Sequence, residues 1–102
     1  MKYIDLKTEN KILIISINRV KKLNALNSAL IGELDEVLSL YINDSSINCM
    51  IITGAGEKSF VAGADIAEME RFNSTEASNY SNKGINLFNR IETYTKPIIA
   101  AI

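Results

Sequence analysis

The sequence predicts a small α/β domain, and three observations support this prediction. Short apolar runs rich in isoleucine, leucine and valine recur along the chain and are typical of strands. Longer segments between these runs place apolar residues every three or four positions, which is the period of a helix packed on a core. A length of 102 residues, with 47% hydrophobic and 23% charged residues, suits one such domain and not a disordered chain.

The amino-terminal residues are predicted to form a β-hairpin. Tyr3–Leu6 and Lys11–Asn18 have the alternating or apolar pattern of strands. The polar segment Thr8-Glu9-Asn10 lies between them and is short enough for a tight turn. We therefore expect two antiparallel strands at the start of the domain.

A helix and a buried strand are predicted next. From Ser28 to Asn43 apolar residues recur at helical spacing, and Asn27 or Ser28 provides the N-cap. This stripe is interpreted as core and comprises Leu30, Ile31, Leu34, Val37, Leu38, Tyr41 and Ile42. Asn48–Thr53 is an apolar run bounded by polar turn residues and by Gly54, which is the pattern of a strand covered on both faces.

The small-residue loop Ala62-Gly63-Ala64 carries the candidate chemistry. Asp65 is a suitable N-cap with Glu68 as its capping-box partner, so a helix is expected from near Ile66 to about Phe72. Because the side chains of the loop are a hydrogen or a methyl, a ligand oxygen can approach the backbone N–H groups at this helix start. Such loops also occur in ordinary strand-to-helix connections, and local spacing leaves both interpretations open.

A second helix and a last strand complete the predicted order. Asn73 and Glu76 form a cap-like pair that opens a helix running towards Thr95, and Pro97 ends it. The expected inner face of this helix consists of Ala77, Tyr80, Gly84, Leu87, Phe88 and Ile91. The apolar run that follows, up to Ile102, has the pattern of a buried strand.

Two nucleotide-binding motifs are excluded in the segment that begins at Gly54. A P-loop needs glycine immediately before its lysine, whereas Glu57 precedes Lys58 and would repel a phosphate. A dinucleotide fingerprint would need a third glycine where Ser59 stands, and no helical pattern begins there. This segment is therefore not predicted to bind a nucleotide by either motif.

The charge balance argues against general nucleic-acid binding. The net charge is −1, and the chain has no basic block with interleaved aromatic residues. Arg19, Lys21 and Lys22 form a local basic patch, which is either a solvated turn or a site for a phosphate group. We therefore expect no nucleic-acid partner.

Cysteine, histidine and the length of the apolar runs limit the remaining chemistry. Cys49 is the single cysteine and lies in an apolar run, so we expect a buried, inert thiol, no disulfide and a reducing compartment. The absence of histidine excludes histidine-based triads and histidine metal sites within these residues, and no metal is expected. Ile12–Ile17 is too short for a signal segment or a membrane span, so we expect a cytoplasmic protein without a membrane partner.

Three segments together resemble the crotonase (enoyl-CoA hydratase/isomerase) superfamily. In chain order they are Ile17–Asn27 (INRVKKLNALN), Ser59–Ile66 (SFVAGADI) and Lys96–Ala101 (KPIIAA). The resemblance covers the whole chain and is greatest to the bacterial short-chain 3-hydroxybutyryl-CoA dehydratases. One departure is Val20, where the family usually carries proline, and we expect this change to loosen the turn without removing a functional group.

The resemblance implies an incomplete fold and a partial site. Residues 1–102 would be the amino-terminal portion of a single crotonase-type domain, the ββα spiral fold, with the carboxy-terminal half absent. The backbone N–H of Ala64 is assigned as the first of two oxyanion donors to a thioester oxygen; the second donor and two catalytic glutamates lie beyond Ile102. The positions that match the CoA-lining backbone are Leu23, Ala25, Ala62, Gly63, Ala64, Asp65 and Ile66, and Lys22 is a candidate for a CoA phosphate.

A lyase acting on short acyl-CoA thioesters is therefore the activity that the resemblance implies for the parent protein. Hydration of a 2-enoyl thioester, or dehydration of 3-hydroxybutyryl-CoA, moves charge onto the thioester oxygen, which oriented N–H donors stabilise. Acyl-CoA is the substrate, and no cofactor is expected. Glu33, Glu57, Glu68 and Glu70 are interpreted as caps or solvated residues, so the 102-residue chain alone is expected to be inactive.

Other functions remain open at this point. The chain is alternatively a non-catalytic module that self-associates or binds CoA, or part of an enzyme with another reaction of the superfamily, such as an isomerase or a thioester hydrolase. The run Pro97–Ile102 would present apolar surface and a strand edge, which favours a homo-oligomer.

Overall fold

A computed structural model describes residues 1–102 and confirms the predicted α/β class. The strands are β1 (Ile4–Glu9), β2 (Ile12–Ile17), β3 (Cys49–Gly54) and β4 (Ile98–Ala101). The helices are α1 (Ser28–Tyr41), α2 (Ile66–Met69) and α3 (Ser74–Glu92), and a short 3-10 helix covers Val20–Lys22. None of these helices has the length and hydropathy needed to cross a membrane.

The four strands form one sheet in chain order. β1 and β2 pair antiparallel, with Ile4 opposite Ile17 and Glu9 opposite Ile12. β2 pairs with β3, and β3 with β4, in parallel. Because parallel neighbours need a crossover, α1 connects β2 to β3, and α2 and α3 lie between β3 and β4.

The hairpin turn is tighter than the sequence pattern predicts. Thr8 and Glu9, which the pattern assigns to the turn, belong to β1, and only Asn10 and Lys11 connect the strands. These two residues have φ values of 51° and 63°. Positive φ at both positions is the conformation of a two-residue type I′ turn, whose twist matches that of the flanking strands.

One face of the sheet carries the hydrophobic core. Strand residues on this face, such as Leu13, Ile15 and Met50, are fully buried. They pack against α1 and α3 in a single cluster of 14 buried residues: Ile4, Leu13, Ile15, Ile17, Leu26, Leu30, Ile31, Leu34, Val37, Leu38, Ile47, Met50, Ile52 and Leu87. Five of the seven residues in the predicted α1 stripe are in this cluster, which confirms that the stripe is core.

β3 is fully buried on one face only. Met50 and Ile52 face the core, whereas Cys49, Ile51 and Thr53 are half-buried on the opposite face. Alternate strand residues point to opposite sides, and both long helices contribute to the same core. The predictions of a strand covered on both faces and of a buried Cys49 are therefore wrong for this chain. The prediction that the last strand is buried is also wrong, because only Ile98 of β4 is half-buried and its other residues are exposed.

α3 is amphipathic, but the residues of its predicted inner face are less buried than the sequence pattern predicts. Leu87 is buried, Tyr80, Gly84 and Ile91 are half-buried, and Ala77 and Phe88 are exposed. The predicted capping box at Asn73 and Glu76 is confirmed. The helix ends at Glu92, short of the predicted Thr95.

Residues before β4 fix the carboxyl end of α1. The Tyr94 hydroxyl donates to the Leu38 carbonyl over 2.6 Å. Lys96 Nζ donates to the carbonyls of Tyr41 and Asp44 at 2.6 and 2.5 Å. Tyr41 is the last residue of α1 and Asp44 lies in the turn after it, so these bonds join the end of α1 and its following turn to the segment that leads into β4.

Candidate functional site

The cradle loop, residues 62–64, is paired with the segment that leads into α1. Leu26 and Ala64 form an isolated parallel bridge. In this bridge the Leu26 N–H donates to the Gly63 carbonyl at 2.7 Å, and the Asp65 N–H donates to the Leu26 carbonyl at 3.0 Å. The peptide groups on either side of Ala64 are thus held by one residue, Leu26.

This pairing leaves the backbone N–H of Ala64 without a partner. The Gly63 carbonyl and the Asp65 N–H both face Leu26, so the Ala64 N–H points away from the bridge. It donates to no group in the chain, and Ala64 is exposed. Gly63 has a φ of +93°, a backbone conformation that glycine adopts without the strain of a Cβ. The loop therefore presents one strong donor to a ligand.

An apolar pocket of about 290 Å³ lies against Ala64. It is lined by Leu26, Ile31, Gly63, Ala64, Tyr80, Ser81, Gly84, Ile85 and Phe88. Four of the α3 residues, Ser81, Gly84, Ile85 and Phe88, are spaced three or four apart and share one helix face. Sequence reasoning interpreted part of this face as core and missed Ser81 and Ile85, although the exposed Ile85 and Phe88 complete an apolar wall at the same helical period.

A buried ion pair lies behind the cradle loop. Arg19 Nη2 is 2.6 Å from Asp65 Oδ2, and their side chains are only 13% and 9% exposed. The Arg19 guanidinium, helped by the N–H of Glu68, lowers the pKa of the Asp65 carboxyl. Arg19 also donates to the Ala25 carbonyl at 2.9 Å. Arg19 is therefore not part of an exposed phosphate patch, and only Lys21 and Lys22 of the predicted patch are exposed.

A buried asparagine, which sequence reasoning missed, joins the β2–α1 connection to the β3–α2 connection. Asn24 is 1% exposed and accepts the Arg19 N–H through its side-chain oxygen at 2.9 Å. Its side-chain amide donates to the carbonyls of Ala55 and Ser59 at 3.1 and 3.0 Å. Asn24 has a φ of 59°, a left-handed conformation that asparagine tolerates better than most residues. The sequence signal at this position is an asparagine in a predicted turn, because asparagine is enriched at left-handed backbone positions.

Glu68 has a different role from the one that the sequence predicts. Asp65 does cap α2, since its side chain accepts the Glu68 N–H at 3.1 Å. The Glu68 carboxylate does not return to Asp65 and instead accepts the N–H of Ser28 at 3.1 Å and the Ser28 hydroxyl. Glu68 therefore caps the first turn of α1, next to the predicted N-cap Asn27, which accepts the Leu30 N–H.

The short helix α2 contributes less than predicted. It ends at Met69, before the predicted Phe72, and contains four residues. A single turn has few aligned peptide dipoles, so the expected helix field at the cradle loop is small. The free Ala64 N–H, and not a helix terminus, is the main polar feature of the site.

The structure brings the predicted binding residues together. Ala62 N–H donates to the Leu23 carbonyl at 3.1 Å, which places the segment 23–25 beside residues 62–66. Leu23 and Ile66 are exposed at 46% and 69%, whereas Ala25 is half-buried. The N–H groups of Ala62 and Asp65 are already used inside the site, so they are not free to contact a ligand.

Known proteins are similar to this chain in both sequence and fold. The family described as enoyl-CoA hydratase/isomerase matches residues 12–102. Short-chain-enoyl-CoA hydratase of Clostridium acetobutylicum is 48% identical over 97 residues, which are 95% of this chain and 37% of that protein. Crotonyl-CoA hydratase of Syntrophomonas wolfei is 41% identical over 97 residues, again 95% of this chain and 37% of that protein.

A solved structure gives the same result for the fold. The crystal structure of enoyl-CoA hydratase from Bacillus anthracis matches with a TM-score of 0.92 and 30% identity, over 96% of this chain and 38% of that chain. The chain thus spans little more than a third of the length of the relatives that it matches. Its sheet and helices are the amino-terminal part of the crotonase fold, and the chain belongs to the enoyl-CoA hydratase/isomerase family.

Proposed function

We propose that this chain forms the thioester-binding part of a short-chain enoyl-CoA hydratase, which in the reverse direction dehydrates 3-hydroxybutyryl-CoA. The observation that carries the proposal is the free N–H of Ala64 beside an apolar pocket. Relatives named short-chain-enoyl-CoA hydratase and crotonyl-CoA hydratase support the substrate class.

The chemistry of hydration accounts for a free donor at this position. Addition of water to a 2-enoyl thioester, or its removal from a 3-hydroxyacyl thioester, passes through an enolate-like state with negative charge on the thioester oxygen. The Ala64 N–H would donate to that oxygen, and one such donor typically contributes ~10²–10³ in turnover. The apolar pocket would hold a short acyl group, because it offers few polar partners and lies beside the donor.

The CoA moiety is proposed to lie along the two adjoining loops. The backbone at Leu23, Ala25 and residues 62–66 would line it, and the exposed side chain of Lys22 would neutralise a phosphate. Arg19 is excluded from this role because its guanidinium is paired with Asp65.

We further propose that the protein is cytoplasmic and forms a homo-oligomer. The exposed apolar side chain of Ile99 on β4 supports association.

The proposed site is partial within residues 1–102. One proposed oxyanion donor, the Ala64 N–H, lies in this range, and the second donor and the acid–base glutamates of the family are proposed to lie on residues outside it. A missing general acid–base typically costs about 10²–10⁴ in rate, in addition to the missing donor. We therefore expect the 102-residue chain to bind the thioester without turning it over.

A ligand titration tests the role of Ala64 directly. The amide resonances of the ¹⁵N-labelled chain are followed by NMR while crotonyl-CoA or the S-butyl thioether of CoA is added. Both ligands carry the whole CoA group, and only crotonyl-CoA carries a carbonyl oxygen on the acyl carbon next to sulfur. We expect both to shift Lys22 and Leu23, and only crotonyl-CoA to move the Ala64 amide proton downfield. Equal shifts of Ala64 with both ligands, or no binding of crotonyl-CoA, would contradict the proposal.

A hydration assay tests the claim of a partial site. Crotonyl-CoA is incubated with the purified 102-residue chain, and loss of the conjugated thioester absorbance is compared with a sample that contains no protein. We expect equal rates. A rate above the no-protein sample would mean that the chain contains its own acid–base groups.

A further inference from the structure

Tyr80 reaches from α3 to the residue that holds the cradle loop. Its hydroxyl donates to the Leu26 carbonyl over 2.6 Å, and its half-buried ring lies 5.5 Å from that of Phe72. The same Leu26 carbonyl accepts the Asp65 N–H at 3.0 Å. The Leu26 carbonyl therefore accepts from two donors: the N–H of Asp65, which directly follows the cradle loop, and the hydroxyl of Tyr80 on α3, 54 positions after Leu26.

We propose that Tyr80 is a positioning residue that orients the Ala64 N–H through Leu26. The inference rests on the function proposed above for Ala64. Leu26 holds the Gly63 carbonyl with its N–H and the Asp65 N–H with its carbonyl. The two groups belong to the peptides on either side of the Leu26 Cα, so a displacement of Leu26 would shift both peptide groups that flank Ala64. The Tyr80 hydroxyl opposes that displacement because it anchors the Leu26 carbonyl.

Tyr80 is suited to this role by its surroundings. A tyrosine hydroxyl is protonated at neutral pH and can donate, and burial raises the pKa of Tyr80 further above its ordinary value of 10.0. Its ring lines the same apolar pocket as Ala64, and the pocket keeps its wall when only the hydroxyl is removed. Removal of the hydroxyl also leaves the Leu26 carbonyl with the Asp65 donor, so no buried acceptor is left unpaired.

Tyr94 provides a matched control for Tyr80. Its hydroxyl also donates to a backbone carbonyl, that of Leu38, over 2.6 Å, and burial also raises its pKa. The Leu38 carbonyl belongs to α1 and makes no bond to the cradle loop. The variants Y80F and Y94F therefore each remove one bond from a tyrosine hydroxyl to a backbone carbonyl. Only the bond that Y80F removes is connected, through Leu26, to the peptide groups that flank Ala64.

Hydrogen exchange of the purified chain tests the positioning role without any ligand. The amides of Leu26 and Asp65 are measured by NMR in the wild type, Y80F and Y94F. We expect Y80F to raise their exchange rates about fivefold, as the loss of one hydrogen bond implies, and Y94F to leave them unchanged. Unchanged rates in Y80F, or equal increases in both variants, would overturn the inference.

Ligand discrimination tests whether the positioning reaches the donor. The ratio of the Kd values for the S-butyl thioether of CoA and for crotonyl-CoA is measured for the same three proteins. We expect the preference for the thioester to fall about fivefold in Y80F and to persist in Y94F. Faster exchange with an unchanged preference would overturn the positioning role. A wild type with no preference would refute the function proposed for Ala64, and the exchange rates would still decide whether Tyr80 holds the loop.

Discussion

Replacement of Gly54 by alanine is expected to destabilise the domain strongly. Gly54 is the last residue of β3, and a Cβ at this position would lie 2.3 Å from the Phe60 carbonyl oxygen. It would also lie 2.7 Å from the Ser59 carbonyl oxygen and 2.8 Å from Phe60 Cα. All three are backbone atoms, so no side-chain rotation relieves the clash and the chain itself has to move.

The cost follows from what has to move. Overpacking of this kind costs typically about 1–3 kcal/mol, and rigid backbone obstacles place Gly54 at the upper end. A shift of the Ser59 carbonyl also weakens its bond from the Asn24 side chain, which adds about 1 kcal/mol at most. We expect a loss of about 3–4 kcal/mol in the free energy of unfolding, or roughly 12–32 °C in Tm for a domain of this size.

Thermal and urea unfolding, followed by circular dichroism, measure the effect. The matched control is G32A, because a Cβ at Gly32 in α1 meets nothing within 4 Å. Alanine there is expected to raise stability by about 0.5–1 kcal/mol. The proteins are compared at one concentration, since association would make Tm depend on it. A G54A protein within about 0.5 kcal/mol of the wild type would refute the packing argument.

Two further predictions concern the polar contacts of the fold. Arg19 lowers the pKa of Asp65 below its ordinary 3.8, so the pair's contribution is fully present above that pH and is lost as pH falls below it. The variant D65N keeps an N-cap side chain but no longer titrates at this position. We expect its free energy of unfolding to fall less steeply with pH below about pH 4 than that of the wild type, and equal slopes of free energy against pH would contradict this. K96M removes the bonds to the carbonyls of Tyr41 and Asp44, at the end of α1 and in the turn after it, and is expected to cost about 1–3 kcal/mol in urea unfolding. K22M at the exposed turn is expected to stay within about 0.5 kcal/mol, and equal losses would contradict the stabilising role of Lys96.

Local patterns predicted most of the fold. The period of the α1 stripe and the caps at Asn27 and Asn73 depend on residues within a few positions of each other, and the structure confirms them. The sequence pattern predicts the hairpin but misplaces its turn, because Asn10-Lys11 adopts positive φ without the glycine that usually marks a type I′ turn. The open face of β3 was not predictable, since an apolar run does not reveal on which side a chain supplies helices.

Long-range contacts explain what the sequence did not reveal about the site. The Glu68 carboxylate binds Ser28, 40 positions away in sequence, and so a local capping-box spacing was misleading. Arg19 belonged to an apparent basic patch and is instead held by Asp65, 46 positions later. Tyr80 lies in a stripe that suggests core packing, and only the fold shows its hydroxyl at Leu26.

The free donor at Ala64 belongs to the main chain, and this limits how mutation and pH can affect it. A peptide N–H does not titrate in the range where proteins are folded, so any pH dependence of the proposed site must come from other groups. Side-chain substitution at Ala64 also leaves the N–H in place, with proline as the one standard residue that removes it. The donor is therefore kept by any sequence that preserves the bridge to Leu26 and has a residue other than proline at position 64.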